Sequence, residues 1–259
     1  MNAVPAQPRL RGKLIVAGLL FYLLFLILQM PLAWLVAQLP ADSPIQLHQA
    51  SGSAWNGSVR QVIWQAETDR IDLGRLSWKW QPGELLDGRI GFDFELGRAA
   101  RTINGSVMLG RNSLLLNNLR GKADAALLGF VSRPLSLLQP QGNLLLDVAS
   151  LSLARKRIHG SGRLEWRGAQ SGIVSAPLGD YRAELNTDPD GRRALLNVHT
   201  LQGPLSMNGN AEYLPGKEFR GTLRLTPPQA ESGQVYRPLL SLLGRPDANG
   251  TWVLLFNQR

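Results

Sequence analysis

The sequence predicts a mainly β protein in which a single N-terminal transmembrane helix precedes a periplasmic domain of curved antiparallel sheet with two short helices. Three observations support this: a long apolar run near the N-terminus, period-two alternation of apolar and polar residues afterwards, and turn-forming residues between the alternating stretches. The predicted organisation is a cytoplasmic tail over residues 1–13, a transmembrane helix over 14–37 and a periplasmic β-rich domain over 41–259.

The apolar run has the length of a membrane anchor. Fifteen consecutive apolar residues extend from Leu14 to Leu28, and the run resumes after one Gln and continues to Ala37. A helix rising ~1.5 Å per residue over this stretch covers the ~30 Å hydrocarbon core of a bilayer. The predicted anchor residues are Leu14, Leu20, Leu28 and Trp34, the last as an interfacial aromatic residue. Pro31 is expected to kink or end the helix near its outer end.

Charge around this run predicts its orientation. Arg9, Arg11 and Lys13 precede it, and the next Lys or Arg after it is Arg60. Because positive flanks stay in the cytoplasm, we expect a single-pass membrane protein with a cytoplasmic N-terminus and its bulk on the other side of the membrane. A cleaved signal peptide is an alternative, but the apolar core is long for one and no small-x-small cleavage site follows. A buried core helix is a further alternative.

Composition limits the possible functions. The chain has 259 residues, a formal net charge of +9 and no cysteine. The lack of cysteine excludes disulfides, thiol nucleophiles and Cys-based zinc sites. Its basic residues are scattered singly along the expected strands, which does not indicate nucleic-acid binding. A basic surface is compatible with acidic lipid headgroups or acidic partners, and equally with a plain solvated face.

Alternation and turns indicate the strands. Apolar and polar residues alternate in six segments: 76–80, 90–96, 164–166, 181–185, 205–213 and 222–226. Asp188-Pro189-Asp190-Gly191 and Leu214-Pro215-Gly216-Lys217 are typical turns. The Asn-Gly pairs at 56, 104 and 249 also fit glycosylation sequons, but we interpret them as turns. Gly57 and Gly88 are expected to need positive φ.

Two segments interrupt the alternation and indicate short helices. They extend over 124–138 and 234–243, and both contain Arg-Pro followed by a leucine-rich stretch. A Pro, a Gly and an apolar strand follow each of them. Their offset of about 104 residues predicts an internal duplication, with repeats about 100–150 and 201–256. Chance similarity in leucine-rich sequence is the alternative.

The chain offers little catalytic chemistry. Its three histidines are far apart in sequence, and it contains neither a Gly-x-Ser-x-Gly elbow nor a phosphate-binding loop. Asp93 and Glu95 fit a solvated strand face, and Asp188 and Asp190 fit a turn better than a calcium loop. We therefore expect no catalytic residues, no cofactor and no metal, and a protein that is not an enzyme.

Three motifs resemble the type II secretion system protein N family. The first is the turn Gly52-Ser53-Ala54-Trp55-Asn56-Gly57-Ser58 soon after the anchor. The second runs from Leu76 to Arg89 and contains Trp78, Pro82, Leu85, Leu86, Gly88 and Arg89. The third is the ending from Leu242 to Gly250, which contains Gly244. The resemblance covers the anchor, both ends of the following domain and its length. It depends on the order and spacing of the three motifs together.

This resemblance implies an inner-membrane component of the machinery that exports folded proteins across the outer membrane. The implied partners are other inner-membrane type II secretion components and the lipid bilayer, and the family has no catalytic residues to carry over. The oligomeric state stays open.

Lipid-conducting proteins of the AsmA type, which hold acyl chains in an apolar groove, are the alternative. Helices covering the apolar sheet face would favour an assembly part, and an open groove would favour lipid.

Overall fold

One antiparallel sheet forms most of the protein. The computed structural model describes residues 8–40, 42–66, 69–130, 133–215, 218–229 and 231–258. The strands are β1 (Ile45–Gly52), β2 (Asn56–Ala66), β3 (Asp69–Gln81), β4 (Ile90–Arg98), β5 (Arg101–Leu109), β6 (Ser113–Asp124), β7 (Pro140–Ala154), β8 (Arg157–Ser171), β9 (Val174–Thr187), β10 (Ala194–Gln202), β11 (Ser206–Leu214), β12 (Glu218–Thr226) and β13 (Trp252–Gln258).

The strands lie in chain order, and each one pairs antiparallel with the next. Successive connections therefore alternate between the two ends of the sheet. We call the end with the β1–β2 and β3–β4 connections the α1 end, because the N-terminal helix joins the sheet there. The predicted mainly β, curved antiparallel fold is confirmed.

The apolar N-terminal segment does not form the single helix expected over residues 14–37. It forms α1 (Pro8–Leu28) and α2 (Leu32–Ala37), separated at Pro31, whose backbone is extended. Proline has no N–H to donate to the preceding turn, so the helix ends before it. Of the predicted tail, residues 1–7 lie outside the described residues, and α1 already begins at Pro8. Among the residues that the structure describes, no helix is both long enough and apolar enough to cross a membrane.

The second helix belongs to the core of the sheet. Leu32 is buried with Val59 and Val62 of β2, and Val36 packs against the same cluster. Burial of a leucine side chain contributes roughly 1.5–3 kcal/mol, which favours packing of α2 on the sheet. The outer part of the predicted anchor segment therefore packs on β1 and β2.

Both predicted helical segments are present, each as a short 3₁₀ turn followed by one turn of α-helix. The first comprises Ala125–Phe130 and α3 (Arg133–Leu137), and the second comprises Glu231–Tyr236 and α4 (Arg237–Ser241). Asp124 accepts a hydrogen bond from the N–H of Ala126, as expected for an N-terminal cap. Both segments lie at the end of the sheet opposite the α1 end.

Helical segments cover parts of one face of the sheet and bury three separate clusters. Besides the α2 cluster, Ala125 packs with Ala123 and Leu144. Leu239 and Leu240 of α4 pack with residues of β8, β9, β11, β12 and β13. The chain exposes 17397 Å², whereas a compact protein of 28.4 kDa exposes ~11,000 Å². A single curved layer and the projecting helix α1 leave this extra surface open.

The interpretation of Asn-Gly pairs as turns holds at one of three positions. Gly250 has a φ of 74° in a turn before β13, as expected. Asn56 and Gly57 begin β2, and Asn104 and Gly105 lie inside β5, so neither pair forms the central positions of a hairpin turn. The dipeptide permits a turn, but strand pairing on both sides overrides that local preference.

Candidate functional site

The first motif connects the N-terminal helices to the sheet. Between β1 and β2, the N–H of Ser53 donates to the carbonyl of Asn56 at 2.9 Å, and the N–H of Ala54 donates to the carbonyl of Met30 at 3.0 Å. Pro31 and Ser53 form an isolated antiparallel bridge. Gly52 has a φ of 89°, and a Cβ there would collide with the carbonyl of Asn56. The loop therefore attaches the end of α1 directly to the sheet.

Tryptophans of the second motif pack against this loop. The indole N–H of Trp78 donates to the carbonyl of Ala54 at 2.8 Å. The backbone N–H of Trp80 donates to the carbonyl of Trp55 at 2.7 Å, and the two indole rings are 4.9 Å apart. Gly57 lies against the ring of Trp78, which leaves no room for a side chain at this position. Its expected positive φ is wrong, because Gly57 lies in strand β2 with extended backbone.

The rest of the second motif forms a rigid turn between β3 and β4. Pro82 begins a 3₁₀ helix over Pro82–Asp87, where its missing N–H costs nothing. Gly88 ends it with the predicted positive φ, here 67°, and donates its N–H to Leu85. Arg89 pairs with Glu84 at 2.9 Å and with Asp87 at 2.8 Å. These contacts close the turn onto itself.

The two leucines of this turn point into solvent. Leu86 is 92% exposed and Leu85 is 51% exposed, while Leu76 of the same motif packs in the α2 cluster. Leu85 and Leu86 therefore add nothing to the core, although the ion pairs and the glycine of this turn fix the backbone that carries them. Such an arrangement is typical of side chains that meet something outside the protein.

The third motif lies at the other end of the sheet. Asp247 accepts hydrogen bonds from the N–H groups of Asn249 and Thr251, both at 2.9 Å, in the loop that leads into β13. The carbonyl of Gly244 accepts a hydrogen bond from the indole of Trp252 at 3.1 Å. The structure thus brings the first two motifs together and places Gly244 and Gly250 far from them along the strands.

Predicted anchor residues also differ in their surroundings. Leu14, Leu20 and Leu28 are exposed along α1, whereas Trp34 is exposed on α2 beside the sheet. The sequence places Met30 in the apolar run and Ala54 in the first motif, but it does not predict the backbone hydrogen bond between them, which joins the end of α1 to the sheet. No signal in the sequence marks this hydrogen bond, because any residue supplies a backbone N–H and carbonyl.

Several charged residues elsewhere in the sheet form ion pairs with one another. Glu165 on β8 accepts hydrogen bonds from Arg167 and Arg182, both at 2.9 Å. The hydrogen bond from Arg167 lowers the pKa of Glu165 most, against the opposing effect of desolvation, and Arg182 lowers it further. In the part of the chain that the structure describes, no group of three His, Asp or Glu side chains is placed to hold a metal ion.

Comparison with known proteins gives one match. The model of the family described as type II secretion system protein N matches residues 43–254, which is most of the chain. The search of curated proteins and the search of solved structures each return no match. The matched region contains both turn motifs at the α1 end and the loop before β13. The chain therefore belongs to the type II secretion system protein N family.

Proposed function

We propose that this component of the type II secretion system is a non-catalytic binding module, held at the inner membrane by α1 with its sheet in the periplasm. The family match supports a role in secretion. The exposed leucines of α1 and the sequence asymmetry, with Arg9, Arg11 and Lys13 before the apolar run, support the anchor and its orientation. Other inner-membrane secretion components are the proposed partners.

The free edge of β13 is the observation that carries the binding role. Among the described strands β13 pairs only with β12, so its outer edge presents unpaired N–H and carbonyl groups. Its sequence from Trp252 to Phe256 contains neither a charge nor a proline to block pairing, and Leu255 is 77% exposed. An extended apolar segment of a partner fits such an edge by strand addition.

The opposite edge of the sheet is less suited to strand addition. In β1, Gln49 has a φ of 57°, and the register with β2 passes over it between His48 and Ala50. Leu47 and Ala50 of the same strand pack with α2. The interrupted pairing at Gln49 and the helix packed on β1 both make this edge less suited to a new strand, so we assign partner binding to β13.

Crosslinking of tagged full-length protein in native membranes, followed by identification of the captured proteins, tests this proposal. We expect wild-type protein to capture inner-membrane secretion components and Leu255→Lys to lose them, because a charge on the edge opposes strand pairing. Ile45→Lys on β1 is the matched control and should retain them. Capture that is equal for both variants and wild type would place binding elsewhere, and failure of wild type to capture any secretion component would reject the proposed function.

The orientation has its own test. Alkaline phosphatase fused after Arg259 is expected to be active, because it folds only outside the cytoplasm. A cytoplasm-only reporter at the same position is expected to be inactive. The reverse result would contradict the proposed topology.

A lipid-binding function of the AsmA type is the second candidate, and an uncovered apolar row favours it. Cross-strand register places Phe92, Val107, Leu116 and Leu151 side by side across four strands, next to Trp80, whose ring packs against Trp55. These side chains are only half-buried and belong to none of the three clusters beneath the helical segments. Recovery of stoichiometric phospholipid with purified protein, without secretion components, would replace the first proposal with this one.

We also infer an internal duplication of a six-strand unit. A helical segment follows β6 and another follows β12, and Pro134 and Pro238 take the second position of α3 and α4. Gly74 and Gly179, both with positive φ, approach the neighbouring strand at Gly97 and at Gln202. Each of these residues is separated from its counterpart in the other half by nearly the same number of positions, which supports two copies of one pattern.

A further inference from the structure

We infer that the α1 end of the sheet rests on the surface of an anionic bilayer, through exposed apolar residues that insert and basic turns that bind headgroups. This inference rests on the proposed function, because it requires α1 to be held at the membrane. It assigns a lipid contact to the sheet itself, beyond the anchor.

The apolar part of this contact is a rim of four residues, Leu85, Leu86, Ile90 and Leu109. Leu85 and Leu86 project from the β3–β4 turn, and Ile90 and Leu109 are direct register partners at the adjoining ends of β4 and β5. All four are exposed, Leu86 to 92%. Apolar groups gathered at one end of a sheet and left uncovered mark a contact surface.

The basic part lies on the next turns at the same end. Arg111 lies in the β5–β6 turn, and Arg155 and Lys156 form the β7–β8 turn, followed by Arg157 at the start of β8. These side chains are exposed, and the two turns contain no acidic residue. Cationic side chains beside an apolar rim suit the interface of a bilayer that carries anionic lipids.

The position of the apolar rim beside the end of α1 indicates that the rim contacts lipid. The hydrogen bond between Ala54 and Met30 and the bridge between Pro31 and Ser53 hold the end of α1 against this end of the sheet. Trp55 of the same loop contacts Trp80, which lies two residues before Pro82 and the exposed turn. A helix that enters a bilayer at this point brings the rim to the membrane surface with no further conformational change.

Two ion pairs and a glycine fix the conformation of the β3–β4 turn. Arg89 pairs with both Glu84 and Asp87, and Gly88 closes the backbone, so Leu85 and Leu86 stay outside the core. A presented pair of leucines loses little conformational freedom on insertion, and this preorganisation favours binding.

Site-specific fluorescence in the full chain tests the inference, and the absence of native cysteine makes single labels unambiguous. Leu86→Cys and Leu137→Cys carry the same environment-sensitive dye; Leu137 is 63% exposed at the opposite end and is the matched control. The proteins are reconstituted into phosphatidylcholine vesicles with and without phosphatidylglycerol. We expect a blue shift and quenching by nitroxide lipid at position 86, and neither effect at position 137.

Charge reversal in the basic turn gives a second readout. Arg155→Glu with Lys156→Glu should reduce quenching at position 86 in anionic vesicles, since each lost basic contact weakens surface binding ~5-fold. The same pair should have no effect in phosphatidylcholine alone. Equal quenching with and without the reversal would overturn the headgroup contact.

Retention of the protein in vesicles after an alkaline wash separates the two proposals. Retained protein with identical emission at positions 86 and 137 would overturn the rim contact while leaving the anchor standing. Released protein would instead reject the anchor. A blue shift at position 86 that occurs only in native membranes containing secretion components, and not in lipid vesicles, would identify a protein partner at the rim and overturn the lipid assignment.

Discussion

Gly57 lies against the indole ring of Trp78, so closely that the Cβ of any other residue would be 2.6 Å from the ring carbon Cζ2. The carbonyl of Ser53 approaches the same position to 2.7 Å. The hydrogen bond from Trp78 to Ala54 holds the ring in place, and Ala54 is in turn bonded to Met30. One glycine thus allows the sheet, the loop and the end of α1 to meet.

Replacing Gly57 by Ala is expected to destabilise the protein by ~1–3 kcal/mol, because overpacking displaces either the ring or the loop. Denaturant unfolding of the detergent-solubilised full chain, followed by tryptophan fluorescence, measures the loss. Gly83→Ala is the matched control, since a Cβ there meets no atom within 4 Å. Equal stability of the two variants would contradict the packing argument.

Gly88 is required for a different reason, and its substitutions should behave differently. Open space surrounds it, but its φ of 67° lies in the left-handed region. Gly88→Val is expected to cost ~1–2 kcal/mol, the penalty of this conformation for an L-residue. Gly88→Asn should retain most of the stability, because Asn tolerates the conformation. A loss as large for Asn as for Val, in the same unfolding assay, would argue against backbone strain.

Glu165 is expected to stabilise the sheet at neutral pH and to lose this effect in acid. Arg167, and then Arg182, hold its pKa below the ordinary value of 4.5, so the folded state favours the charged carboxylate. Its contribution is therefore present above that ordinary value and disappears as the pH falls through the lower folded pKa. Glu165→Gln should cost ~1 kcal/mol or less near pH 7, because these pairs are partly solvated.

The pH dependence is the decisive measurement for Glu165. The stability difference between wild type and Glu165→Gln, measured by denaturant titration at several pH values, should shrink in acid. Glu95→Gln is the control, on a solvated strand face and in no described ion pair. A difference for Glu165→Gln that is independent of pH would contradict the ion-pair explanation.

Tyr181 is expected to stabilise the core below pH 10 and to lose this contribution in base. Its hydroxyl lies 2.8 Å from the carbonyl of Leu178 and 2.9 Å from that of Leu205, so it can donate its one hydrogen to either, and its ring is buried. Burial, with smaller effects of Tyr236 and Asp180, raises the pKa of Tyr181 above its ordinary 10.0. The unfolded chain therefore loses the proton first, and stability falls as the pH rises above 10.

Tyr181→Phe removes both the hydrogen bond and this titration. We expect a loss of ~1–2 kcal/mol at neutral pH, since a buried carbonyl loses its donor. The difference from wild type should decrease in strong base, as followed by calorimetry at neutral and alkaline pH. A constant difference would show that packing, and not the hydroxyl, makes the contribution.

Local pattern was sufficient for much of this fold. Alternation at Leu76, Trp78 and Trp80 predicts β3 and its buried face, because side chains of a strand alternate between two faces. The Asp188–Gly191 turn and the helical segments after β6 and β12 also follow from residue types. The pattern failed at β6, where three consecutive leucines, Leu114 to Leu116, conceal the alternation and Asn118 adds a positive φ.

By itself, the sequence determined the class of fold, the family motifs and the position of the apolar N-terminal segment. Only the tertiary structure decided that α2 packs on Val59 and that Leu86 projects from the end of the sheet where α1 is attached. Periodicity and turn preference act between neighbours in the chain, so they can be read in order. Which end of a sheet meets Met30, and whether a leucine finds a cover, depend on contacts between residues distant in sequence.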